Sequence, residues 1–107
     1  MILYTATALG IRQTNKLVME EIHDYVPKYM KNTNWEDPPG GEKICEVETR
    51  EQAFAAMRKY VQDADLDLPY TFIKKRPDGI YVAFFDEEKD KYGLEKHHCA
   101  EFILIDK

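Results

Sequence analysis

The sequence is short of most features that mark a specialised class of protein. Its 107 residues include two cysteines, too few for a disulfide framework. Each sits in an apolar, strand-like run, so the expected state is a free thiol in a reducing cytoplasm. No stretch of 18 apolar residues occurs, and no membrane span is expected. The N-terminal MILYTATALGIRQ is apolar but short, lacks a basic leader and meets Arg12 where a cleavage site would stand. It reads as a first strand and not as a signal peptide. A basic excess is also missing. The net charge is −5, the longest basic run is Lys74-Lys75-Arg76, and clustered lysine and arginine are what nucleic-acid affinity needs. Direct nucleic-acid binding is therefore not expected. The acidic residues do not form the dense stripes of a nucleic-acid mimic either, because they are mixed with lysines everywhere except Asp86-Glu87-Glu88.

Signature motifs are absent as well. There is no phosphate-binding Gly-rich loop with its lysine, no dinucleotide fingerprint, no nucleophile elbow and no paired-histidine zinc helix. Gly40-Gly41 lacks the lysine and hydroxyl residue of a phosphate loop. Asp63, Asp65 and Asp67 imitate the start of a calcium loop, but Leu68 stands where its glycine should be and Lys74 where its closing glutamate should be.

What is present is an ordinary globular composition, 44% apolar and 33% charged, in a chain long enough to bury a core as one domain spanning residues 1–107. Residues 2–9 are β-branched and aromatic and predict a strand ended by Gly10. Thr14 is the expected N-cap of a helix starting at Asn15, whose stripe is Leu17, Val18, Ile22, Tyr25, Val26 and Tyr29, kinked at Pro27. NTNWEDPPGGE, residues 32–42, is the clearest loop. KICEVE predicts a short strand. Thr49 with Gln52 matches a capping box and opens a second helix with the stripe Ala53, Phe54, Ala56, Met57, Tyr60, Val61 and Ala64, terminated by DADLDLP. Residues 70–75 and 80–85 flank Arg76-Pro77-Asp78-Gly79 and predict a hairpin, with proline setting the first corner and glycine supplying a positive φ. A last strand is expected at about residues 97–105. The order β-α-β-α-β-β-β predicts an α+β fold, a mainly antiparallel sheet of about five strands with two helices packed on one face.

One stretch concentrates reactive side chains. EKHHCAEF, residues 95–102, holds two histidines, a cysteine and two glutamates. On a strand, alternation places His97, Cys99, Glu101, Ile103 and Ile105 in one row and His98, Ala100, Phe102 and Leu104 in the other. The second row is more uniformly apolar and is the expected core face. His97 and Cys99 could share one ion across roughly 7 Å, but a catalytic zinc needs three protein ligands and a structural one four. His23, Cys45 or a carboxylate would have to complete the site, and no spacing rule links them to His97. Neither a metal nor a Cys99–His catalytic pair is therefore expected, and Cys99 reads as a small packed hydrophobe.

The loop around Trp35, the only tryptophan, offers more for recognition. A tryptophan flanked by Glu36 and Asp37 on a surface loop suits a hot spot facing a basic partner, and Tyr92 adds aromatic surface; the competing placement tucks Trp35 back onto the core as a lid over the kinked helix. If the outer sheet face is uncovered, Tyr81, Phe85, Ile103 and Ile105 would form an apolar patch for a homodimer or another partner. The sequence thus points to a small acidic binding or regulatory protein without enzymatic activity or cofactor, acting on another protein with a basic surface. Inhibitors and accessory factors of phages and mobile elements are such proteins. The competing reading is a small metal- or thiol-dependent enzyme using His97, His98 and Cys99.

Overall fold

The computed structural model describes residues 1–6, 10–15, 39–86, 88–89 and 95–106, with residues 12–15, 88–89 and 95–97 described by their backbone alone. Strand order follows from one long central strand. Numbered along the chain, the strands are β1 (Ile2–Thr5), β2 (Ile11–Asn15), β3 (Lys43–Glu46), β4 (Tyr70–Arg76), β5 (Gly79–Phe85), β6 (Glu88–Lys89) and β7 (Glu95–Ile105). Between β3 and β4 runs the helix α1 (Arg50–Asp63). β7 is the spine. β1 and β2 pair with one of its edges, β5 and β6 with the other, and β3 and β4 flank the sheet in the order β3-β1-β7-β5-β4. Every pairing is antiparallel. The described fold is therefore α+β, with one helix among the described residues, and none of those residues forms a helix long and apolar enough to cross a membrane.

α1 forms where local chemistry demands it. The Thr49 side chain accepts from the Gln52 backbone N–H at 3.2 Å, and the Gln52 side chain accepts from the Thr49 N–H at 3.3 Å. This closes the expected capping box and satisfies two otherwise orphaned groups. Ala53, Met57 and Val61 are buried one turn apart against Val82, Phe84, Ala100, Phe102 and Leu104. Tyr60 meets the edge of Phe102 at a centroid distance of 5.4 Å, and Phe84 does so at 5.9 Å. Ala64, expected in the buried stripe, is the exposed C-cap instead.

The β4–β5 hairpin forms as the sequence predicts, with Arg76 opposite Gly79 across Pro77-Asp78. Gly79 has a φ of 159°, close to extended backbone. Its place is reserved for glycine because a β-carbon there would overlap the Leu104 carbonyl oxygen of β7.

The strand expected over residues 2–9 is present as Ile2–Thr5, residues 7–9 lying outside the described residues, and a second strand, Ile11–Asn15, follows it along β7 where a helix was expected to begin. Thr14 and Asn15, expected to cap and start a helix, are strand residues opposite His97 and Lys96. The reason is non-local: the long edge of β7 offers backbone partners that a four-residue β1 leaves unmet, and that ladder outweighs a local capping preference. Gly10, with φ 63°, lies at the break. Glu101 holds both sides of it, its carbonyl accepting from Ala6 N–H at 2.9 Å and its N–H donating to the Gly10 carbonyl at 3.4 Å. The rest of the first expected helix, with its stripe from Leu17 to Tyr29, lies outside the described residues. The β-α-β-α order and the pair of helices on one face are accordingly not part of the described fold.

Candidate functional site

β7 decides what EKHHCAEF can do. The expected alternation holds: Ala100, Phe102 and Leu104 belong to the core beneath α1, while Cys99, Ile103 and Ile105 belong to a second cluster with Tyr81, Ala83 and Phe85 on the opposite face. That second face is buried too. Cys99 is 0% exposed, Glu101 3%, Ile103 4% and Ile105 7%. The Cys99 thiol donates to the Glu101 carboxylate at 3.7 Å, two residues along the same face. A nucleophilic cysteine acts as a thiolate that its substrate can reach, and this thiol is fully buried.

His98 begins the α1-side row at its rim. Its backbone N–H donates to the Asp86 carboxylate at 2.7 Å, and Asp86 returns the bond, its N–H donating to the His98 carbonyl at 3.2 Å. The second Asp86 oxygen lies 3.5 Å from His98 Nδ1. Asp86 thus continues the β5–β7 ladder one step beyond the last β5 pair by using its side chain, a structural task for both residues.

Cys45 cannot complete a site with Cys99. It pairs with Leu3, which pairs with Leu104, so it stands level with Leu104 and packs on the α1 face, whereas Cys99 lies on the other. The two thiols are separated by the sheet, about 10 Å across the strands and about 16 Å along them. Among the described residues, no three histidine, cysteine or acidic side chains are placed to hold a metal ion. Of the aspartates that imitate a calcium loop, Asp63 is the last residue of α1 and pairs with Lys59 at 3.1 Å.

The residues expected to meet a partner, Trp35, Glu36, Asp37 and Tyr92, lie outside the described residues, as does His23. The patch expected from Tyr81, Phe85, Ile103 and Ile105 does not form, because all four are buried at 7% exposure or less.

Sequence reasoning missed three features. Glu101 is a carboxylate set into the middle of a sheet, where an ionisable group is costly unless it is hydrogen-bonded. Arg76 is buried with its side chain 1% exposed, and its guanidinium grips Asp78 through two bonds of 2.8 and 3.2 Å across the hairpin turn. Tyr70 and Ile73 of β4 are the exposed large hydrophobics of the described residues, at 38% and 53%. Nothing in the alternation of YTFIKKR marks Ile73 as exposed, since its exposure depends on how far α1 reaches across the sheet.

On the edge strand β3 the register shifts between Leu3 and Tyr4, leaving Ile44 as an extra residue. The bulge turns Ile44 and Cys45 together onto the α1 side and leaves Lys43 and Glu46, opposite Tyr4 and Ile2, on the second face. There they form a 2.8 Å ion pair. That hydrogen bond, then the charge of Glu46, raises the Lys43 pKa. Reciprocally, the bond from Lys43 and then its charge lower the Glu46 carboxyl below its ordinary value. A short, bulged, charged edge of this kind resists pairing with another chain.

Comparison with known protein families, with curated proteins and with solved structures yields no match to this chain.

Proposed function

We propose that the protein is a non-enzymatic binding or regulatory protein, an inhibitor or accessory factor in kind, that acts through a surface presented to another protein. The observation that carries this reading is the fate of its one chemically rich stretch. β7 draws Cys99 and Glu101 into a buried face and holds the His98 backbone N–H against Asp86, so the thiol and the carboxylate of that stretch are spent on the fold. The partner carries a basic surface. Asp63, Asp65 and Asp67 are exposed around the C-terminal end of α1, where the helix dipole adds negative potential and the last turn has no basic residue. The Trp35, Glu36 and Asp37 loop, with Tyr92, supplies the aromatic anchor and more negative charge.

Affinity capture of the tagged protein from its native lysate, followed by mass spectrometry, tests this reading. The expected result is a protein partner with a basic surface whose capture falls sharply with Trp35→Ala while the variant's melting temperature stays nearly unchanged. Stoichiometric zinc in the purified protein, lost on His97→Ala, would overturn the reading in favour of a metal-dependent enzyme. A loss of several kcal/mol of stability in Trp35→Ala would place the tryptophan in the core and remove it from the partner surface.

A further inference from the structure

One helix cannot roof the whole sheet. With its side chains α1 is about 10 Å wide, and neighbouring strands are about 4.8 Å apart, so it covers about two of them. It lies over β5 and β7. On β4, Thr71, Ile73 and Lys75 stand opposite Phe84, Val82 and Ile80 and so face the same side as α1. All three are exposed. A cleft therefore runs between α1 and the outer strand. Its first end is a groove of about 550 Å³ lined by Arg50, Ile73, Lys75 and Ile80. Its second end is a groove of about 270 Å³ lined by Arg58, Val61, Leu68, Thr71 and Phe84. Thr71 and Ile73, about 7 Å apart on one side of one strand, join the two.

The charge along this cleft runs against the protein's net −5. Arg50, Arg58, Lys75 and Arg76 line it against Asp67, Asp78 and Asp106, with Arg76 held by Asp78, so the cations outnumber the anions by one. Arg50 makes only a long, exposed pair with Asp106 at 3.4 Å. Arg58 and Lys75 have no ion-pair partner among the described residues. Between these cations sits Ile73, 53% exposed. Unpaired cations at both ends of a groove, with exposed aliphatic surface between them, are complementary to a segment that is acidic at both ends and apolar in the middle.

We infer that the α1–β4 cleft docks an extended acidic segment of a partner protein with the pattern acidic–x–apolar–x–acidic. In an extended chain these three side chains share one face, and the outer two are about 13 Å apart. The cleft has that length: eight helical residues from Arg50 to Arg58 rise about 12 Å, and four strand residues from Thr71 to Lys75 span about 13 Å. One acidic side chain meets Arg58, the other meets Lys75 with Arg50, and the apolar one covers Ile73. This site shares only Asp67 with the acidic surface proposed above and stands whether or not Trp35 binds anything.

The test is titration of the ¹⁵N-labelled full chain with the synthetic peptide Glu-Thr-Leu-Thr-Glu and, separately, with Lys-Thr-Leu-Thr-Lys. The acidic peptide is expected to give saturable amide shifts grouped at Arg58, Ile73 and Lys75. The double variant Arg58→Glu, Lys75→Glu should weaken that binding by at least about tenfold, and Ile73→Ser several-fold. The basic peptide should leave the cleft unshifted. All three positions are exposed, so the variants keep the fold, which the dispersion of their spectra verifies, and Arg58→Gln with Lys75→Gln provides a milder pair. No saturable shift up to millimolar acidic peptide, or an equal response to the basic one, overturns the proposal. So does a double variant that binds the peptide unchanged but self-associates, which would make the cations mere guards of an outer strand.

Discussion

The two faces of β7 are equally buried and chemically unlike. Beneath α1 the strand presents Ala100, Phe102 and Leu104, each 0% exposed, to a helix whose own buried residues are alanine, methionine and valine. On the other face it presents Cys99, Glu101, Ile103 and Ile105 to Tyr81, Ala83 and Phe85. One face is held mainly by area and ring geometry. The other, where Arg76 also lies, admits a carboxylate and a guanidinium. The difference teaches that burial by itself does not sort a core from a site. On the first face a residue's contribution scales with the volume it fills. On the second it scales with the hydrogen bonds it keeps.

Truncation separates the faces most strongly. Phe102 is fully buried and makes edge-on ring contacts with Tyr60 and Phe84. Phe102→Ala is expected to cost about 3–5 kcal/mol, the range for an aromatic removed from a close-packed core. Urea denaturation measures it, and a loss below about 1 kcal/mol would mean that α1 is not packed on this face as described.

A volume-conserving change probes the other face. Glu101→Gln keeps the shape and replaces a carboxylate oxygen that accepts from the Cys99 thiol with an amide. The expected cost is about 1–3 kcal/mol, that of disturbing a buried hydrogen-bonded group, with little change in core packing. Measured beside Phe102→Ala in the same denaturant, a neutral result would show that the second face does not depend on the hydrogen bond of its carboxylate.

How far each feature was legible depended on how local its cause is. The capping box of α1 could be read because Thr49 and Gln52 are three residues apart, and the hairpin because Pro77-Asp78-Gly79 carries its own geometry. The division of EKHHCAEF into two rows was legible because alternation is a property of any strand. What alternation could not reveal is that both rows are buried, since that depends on what lies against each face. For the same reason β2 was misread as the start of a helix: Thr14 looks like a cap until a β7 backbone in need of partners is placed beside it. The bulge at Ile44, which turns two successive side chains to one side, broke the alternation that reading KICE as a plain strand assumes. Of the candidate site, the sequence showed that its groups could not all converge; it held no sign of the α1–β4 cleft, which arises from the width of a helix set against that of a sheet.

The smallest effect lies within the second face itself, between its buried carboxylate and an exposed one. Glu46 is on the same side of the sheet as Glu101 but at the solvated edge, its side chain 69% exposed beside Lys43. The hydrogen bond from Lys43, reinforced by its charge, holds the Glu46 carboxyl below the ordinary glutamate value, so the charged form is the one the fold favours. What the pair contributes is therefore present above the pKa of Glu46 in the unfolded chain and fades as pH falls through its lower folded value. On the lysine side the pKa is raised, so the contribution is complete below the ordinary lysine value and fades as pH rises through the folded one. Because both groups are solvated, salt and water screen the pair, and its effect belongs in a titration curve and not in a melting temperature. Carboxyl-carbon NMR should find Glu46 titrating below the ordinary glutamate value, and Lys43→Met should move it back up towards that value with no measurable change in unfolding. A Glu46 midpoint unmoved by Lys43→Met would show that the bulge on β3 does not hold the two side chains together in solution.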